Sequence, residues 1–226
     1  MKSIVFDSST IISLAMQDLL WVLKPLKSAL DGEFYISESV KRELVDKPLL
    51  SKKFKYEALS IMYLLEQGDL KQYSDDLDVH TNKLMFLANH SFKAQDWIKL
   101  VHEGEMEALA LALKLKSDAY FVDERTTRLL IESPDLLSDL LKIKLHTRIT
   151  RNRENILAFQ KIVKNIQVLR SSELLIRGYE LGVFDKFIIR KDLRKTLLDG
   201  LLWGTRLRGC SISSKEISDA LKIEKL

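Results

Sequence analysis

The chain has 226 residues, 46% of them hydrophobic, and a formal net charge of +4; this provides for one sizeable core with an appendage rather than two full domains. Its one cysteine, Cys210, excludes an internal disulfide and a cysteine-rich zinc site, and points to a reducing compartment. An acid at position 7 comes too early for a signal peptide, and no apolar run approaches the roughly 18 uncharged residues of a membrane span, so a soluble, cytoplasmic protein without a membrane partner is expected.

In chain order, residues 3–6 are an apolar run that ends in Asp7, followed by Ser8, Ser9 and Thr10 and a second apolar stretch over 11–16. This predicts strand, turn and helix, with Asp7 at the carboxyl end of the first strand, where open parallel sheets place their ligands. Residues 19–30 read as a helix that Pro25 starts or kinks, and Asp31-Gly32 turns into a second strand at 34–36. Ser37 or Ser39 caps a helix over 40–45 that carries Glu43 and is expected to stop before Pro48.

A helix over 55–67 closes at Gly68, a short strand follows at 70–73, and 75–78 is an acidic connector. Residues 79–92 read as helix, and 104–116 more strongly so, being rich in alanine and leucine and therefore mostly buried. A strand at 119–122 ends in Asp123-Glu124, and the next helix begins at Arg125, repeating the arrangement at Asp7. Beyond Pro134 the strand signal fades, and helices are expected at 153–168, 171–181, 191–206 and 215–223. The alternation predicts a three-layer α/β/α domain with a parallel central sheet over residues 1–145, and a basic helical extension over 146–226.

Charge supports that division. Residues 1–141 carry 17 Lys and Arg against 23 Asp and Glu, whereas residues 142–226 carry 19 against 9. A basic arm on an acidic body suits a polyanion, because phosphate neutralisation dominates nucleic-acid affinity; a solvated lysine-rich surface accounts for the same count. Arg151, Arg153, Arg190, Lys191, Arg194, Lys195, Arg206 and Arg208 are the candidate phosphate contacts. Leu197, Leu198, Leu201, Leu202 and Trp203 are better read as packing the tail onto the main domain or onto a second copy, in a homodimer, than as part of the phosphate-binding surface.

The acids carry the chemistry. A lone ionised carboxylate among apolar residues shifts its pKa, finds a partner or binds a cation, and several together indicate a divalent metal. Asp7 and Asp123 end two strands of one parallel sheet, so neighbouring strands would bring them together, although each also suits a helix cap and Glu124 competes with Asp123. Glu43 alone reads as a surface residue. Glu105 and Glu107 point to different sides of their helix, and periodicity does not choose between them. An aspartyl-nucleophile phosphatase would want a second acid two residues after Asp7, where Ser9 stands, and the first turn has no glycine fingerprint for a nucleotide.

Three segments, 4–12, 36–44 and 104–112 running on to 120–125, resemble the PIN domain, a family of metal-dependent ribonucleases that includes toxins of prokaryotic toxin–antitoxin pairs. The resemblance implies RNA as substrate, Mg2+ or Mn2+ as cofactor, and, in the toxin branch, an antitoxin protein as partner. It places the catalytic and metal-binding acids on Asp7, Glu43, Glu107 and Asp123, with Ser9 supporting the metal shell. An all-carboxylate site agrees with hard cations, and His80, His90, His102 and His146 are left as surface or packing residues. The competing reading keeps the fold as a catalytically silent RNA-binding or assembly factor.

Overall fold

Ile4, Val5 and Phe6 are apolar on both faces of their strand, as a strand covered from both sides must be, and all three are buried. A computed structural model, in which residues 1–223 are described, places this strand at the centre of the molecule. In chain order, β1 (Lys2–Phe6) leads through α1 (Ser8–Ala15) and α2 (Leu23–Leu30) to β2 (Gly32–Ile36). There follow α3 (Glu38–Lys41), a π-helical turn (Arg42–Asp46), α4 (Lys47–Leu50), α5 (Lys55–Glu66) and β3 (Lys71–Gln72). Next come α6 (Asp78–Asn89), β4 (Phe92–Lys93), α7 (Glu103–Lys114) and β5 (Ala119–Phe121). The remainder is α8 (Arg125–Glu132), α9 (Pro134–Leu145), β6 (Thr150–Arg151), α10 (Arg153–Val163), β7 (Val168–Leu169), α11 (Ser171–Glu180), α12 (Arg194–Leu207) and α13 (Ser214–Ile223).

Five strands form a parallel sheet in the order β3-β2-β1-β5-β7, flanked by helices in the expected α/β/α manner. Phe6 of β1 lies opposite Phe121 of β5, so Asp7 and Asp123 leave the same edge of adjacent strands. The Asp7 amide donates to the Phe121 carbonyl at 2.9 Å, which fixes that juxtaposition.

Four expectations need correction. The fifth strand comes from residues 168–169, so the predicted boundary at 145 cuts through the chain path of the sheet. One buried cluster runs from Ile4 through Phe159 and Tyr179 to Ile217, so the extension shares the core. The helix expected over 153–168 ends at Val163, and Phe92, expected to end a helix, instead pairs antiparallel with Arg151 in a second, two-stranded sheet. Finally, the helix carrying Glu43 runs through Pro48: the π-helical turn before it, closed by the Lys47 amide on the Arg42 carbonyl, takes up the irregularity that proline imposes. Among the described residues no helix is long and apolar enough to cross a membrane.

Candidate active site

Asp7 is the N-cap of α1. Its backbone is extended, and its Oδ2 accepts from the Ser9 amide at 3.0 Å and from the Ser9 hydroxyl at 2.5 Å. Its Oδ1 is buried and has no hydrogen-bond partner. Burial pushes the Asp7 carboxyl above the usual range; the bonds to Ser9 oppose this, and the nearby charge of Glu43 adds to it. A helix cap needs one carboxylate oxygen, so the idle one is unexplained by that role.

Glu43 lies in the π-helical turn, about a quarter exposed at 27%, with Oε1 3.9 Å from Nδ1 of His102. It sits against the first turn of α7 at Gly104, where a Cβ would come within 2.9 Å of Oε1. Any larger residue at 104 would push Glu43 aside. π-Helical turns often mark functional positions because they re-aim a side chain without ending the helix.

Glu105 is buried beneath them. Its Oε2 accepts from the His102 amide at 2.9 Å and its Oε1 from the Thr127 hydroxyl at 3.0 Å. Burial raises its pKa to about 6, helped by the charge of Asp7 and opposed by His102 and Thr127. Each oxygen keeps a lone pair beyond the bond it makes. Glu107, the acid that the resemblance selects, is placed elsewhere: its Oε2 accepts from the Ser39 amide at 2.7 Å and ties α7 to the first turn of α3. Glu107 thus anchors the helix that leads to Glu43, while Glu105 faces the field of Asp7.

Asp123 is buried on the other side of Asp7 and is heavily bonded. Oδ1 accepts from the Ser171 amide at 2.7 Å and from the Thr10 hydroxyl at 3.4 Å, and Oδ2 from the Ser171 hydroxyl at 2.6 Å. Burial raises its pKa, opposed by Ser13 and Ser171. Ser9 joins the two aspartates, since its Oγ accepts from the Asp123 amide at 3.0 Å while donating to Asp7. Glu124 is exposed and caps α8 through Thr126.

The sequence reading missed His102, which lies between Glu43 and Glu105 with Nε2 3.6 Å from Glu105 Oε2, and Gly104, Thr127 and Ser171. His102 had a visible signal, since it stands three residues before Glu105 at a helix start. Ser171 had none, because its use depends on where β7 joins the sheet.

Beside Glu43 opens a surface cavity of about 370 Å³ lined by Arg42, Lys47, Lys99 and His102. Among the described residues Arg42, Lys47 and Lys99 enter no ion pair, whereas Arg151, Arg190 and Arg194 of the extension are paired with Asp135, Asp192 and Asp185. Among the described residues no three His, Cys, Asp or Glu side chains are drawn as closely together as a bound ion draws its ligands. The donors nevertheless fit a hard divalent cation: they are all carboxylates, and the idle Oδ1 of Asp7 gives a buried oxygen with no other use. No curated protein and no solved structure matches the chain. A family model described as a PIN domain matches residues 3–136, more than half of the chain, with Asp7, Glu43, Glu105, Glu107 and Asp123 inside the match, and the chain therefore belongs to the PIN-domain family, whose members are generally nucleases.

Proposed function

We propose that this protein is a divalent-metal-dependent endoribonuclease, of the RNA-processing or toxin type, in which Asp7, Glu43 and Glu105 would hold Mg2+ or Mn2+. The observation that carries the reading is the buried, unpartnered Oδ1 of Asp7, a carboxylate whose charge Glu43 makes more costly and which in turn raises the pKa of Glu105. The cation, when bound, supplies a more acidic water and neutralises charge on the phosphate.

The chain's own residues do the rest. Ser9 turns one Asp7 oxygen away and leaves the other free. Asp123, held by Ser171, fixes Ser9 through its amide. Glu107 holds α3, and Gly104 leaves the space that Glu43 occupies. Arg42, Lys47 and Lys99 around the cavity beside Glu43 supply cations for the RNA backbone.

With Mg2+ or Mn2+ the purified protein is expected to cut RNA. Glu105→Gln should lose about 100-fold or more, since a lost metal-holding carboxylate removes several kcal/mol of transition-state stabilisation, and Glu107→Gln should stay within about ten-fold. Intact RNA with both metals, or Glu105→Gln cutting like the wild type, rejects the reading.

The spread of the acids favours a second reading, a non-catalytic RNA-binding factor that keeps the fold. Calorimetric titration with Mn2+ separates the two: binding lost in Asp7→Asn supports the nuclease, and no binding to the wild type supports the factor.

A further inference from the structure

The two-stranded β4–β6 sheet and the end of α6 expose an aromatic strip that the acidic site does not use. Phe86 is 58% exposed and stacks on His90 with centroids 4.4 Å apart and planes 28° from parallel. His90 meets Trp97, itself 43% exposed, at 5.4 Å. Lys93 stands over the indole, its Nζ 5.6 Å from the ring centroid. Aromatic residues this large are normally buried, and three in contact at the surface, with a cation over one of them, need a reason.

The surroundings supply one. Lys93 lies opposite Thr150 in the β4–β6 pair, and Thr150 lines a hollow with Arg148, Arg151 and Arg153. Arg148 and Arg153 enter no ion pair among the described residues. On the other side, Phe86 follows Met85 and Trp97 precedes Lys99 by two residues, and Met85 and Lys99 line the cavity beside Glu43 and His102. The strip thus stands next in the chain to residues of that cavity, whose lining also includes Glu43 and Glu103. Stacking faces flanked by cations match a single-stranded nucleic acid, whose bases are free to stack and whose phosphates need neutralising; a duplex hides those bases.

We propose that Phe86, His90 and Trp97, with Lys93, form a base-stacking platform that holds single-stranded RNA alongside the acidic site. This rests on RNA being the substrate, but not on the metal or on cleavage. The ammonium of Lys93 can turn to a phosphate when a base takes its place on the indole.

The test is binding of the full chain, in EDTA so that nothing is cut, to a fluorescent oligouridine of about a dozen nucleotides, together with quenching of tryptophan emission. The wild type is expected to bind. Trp97→Ala and Phe86→Ala should each weaken binding by about ten-fold, and Trp97→Phe, which keeps a ring, should retain most of the affinity while losing most of the quenching. Unchanged binding by both alanine variants overturns the proposal, as does no binding by the wild type. So does an oligomer of the free chain that Phe86→Ala dissolves, which would make the strip a contact between copies. A nuclease assay that fails while the platform variants behave as expected overturns the catalytic reading alone.

Discussion

Among the single residues, the acids differ in what each carboxylate oxygen is already doing. Asp123 accepts from Ser171 and Thr10, and one oxygen of Glu107 accepts from the Ser39 amide, whereas Asp7 keeps one buried oxygen idle. Asp7→Asn should therefore abolish metal-dependent cleavage and yet raise the melting temperature of the metal-free protein near neutral pH, because it removes a buried charge without a full set of partners. Differential scanning calorimetry checks this; a lower melting temperature would mean that the charge is already compensated. The carboxyl of Glu105 has its pKa raised from 4.5 to about 6, and that of Asp7 is also raised. The native state thus binds more protons than the unfolded chain across this window, so metal-free stability declines as pH rises from 4.5 through about 6. Thermal melts in EDTA should show a fall on the order of 1–2 kcal/mol over that range, smaller in Glu105→Gln, and Mn2+ should restore the loss. Asp7 and Asp123 were legible in the sequence as the ends of two strands. The choice between Glu105 and Glu107 was not, because helical periodicity gives their angle and not what lies on either side.

The elements decide how the acids are aimed. Glu43 owes its direction to the π-helical turn and to the absence of a side chain at Gly104. Gly104→Ala is expected to leave the fold intact, since alanine suits a helix better than glycine, but to weaken Mn2+ binding by about ten-fold by displacing Glu43. Equal affinity would show that Glu43 is not part of the site. Ser171 opens α11 and donates its amide and its hydroxyl to Asp123; Ser171→Ala keeps the first and removes the second from a buried carboxylate, and should cost about 1–3 kcal/mol in denaturant unfolding and also slow cleavage. α7 was plain in the sequence because Glu103–Lys114 is made of strong helix formers, and β1 because its apolar run is bounded by an acid and serines. The π-helical turn was not, since it covers only five residues and the shift it makes in side-chain phase is too short to read as a change of period. β4, β6 and β7 have two residues each, too few to show a period, and Val168–Leu169 continues the apolar pattern of the helix before it.

For the whole molecule, what reads as a basic tail belongs to the same sheet and core as the rest of the chain. β7 joins the sheet beside β5, with the Tyr120 and Val122 amides donating to the Gln167 and Leu169 carbonyls. Arg170 then ties α11 to α13: it contacts Glu173 at 2.5 Å, Glu216 at 2.9 Å and the Ser211 carbonyl at 3.1 Å. Leu198 and Leu202 of α12 are fully buried, which is the packing role expected of that stretch. A chain cut after residue 145 should accordingly lose cooperative thermal unfolding, as followed by circular dichroism, and a sharp transition near that of the full chain would contradict this. Sequence composition did reveal the charge imbalance, but charge does not report which side chains enter the core. Whether Asp7, Glu43 and Glu105 form one cation site is read directly by anomalous diffraction from a crystal soaked in Mn2+. A manganese peak is expected on Asp7 Oδ1 shared with Glu43 and Glu105; a peak on Glu107 without Glu105, or no peak at these acids, refutes a shared site.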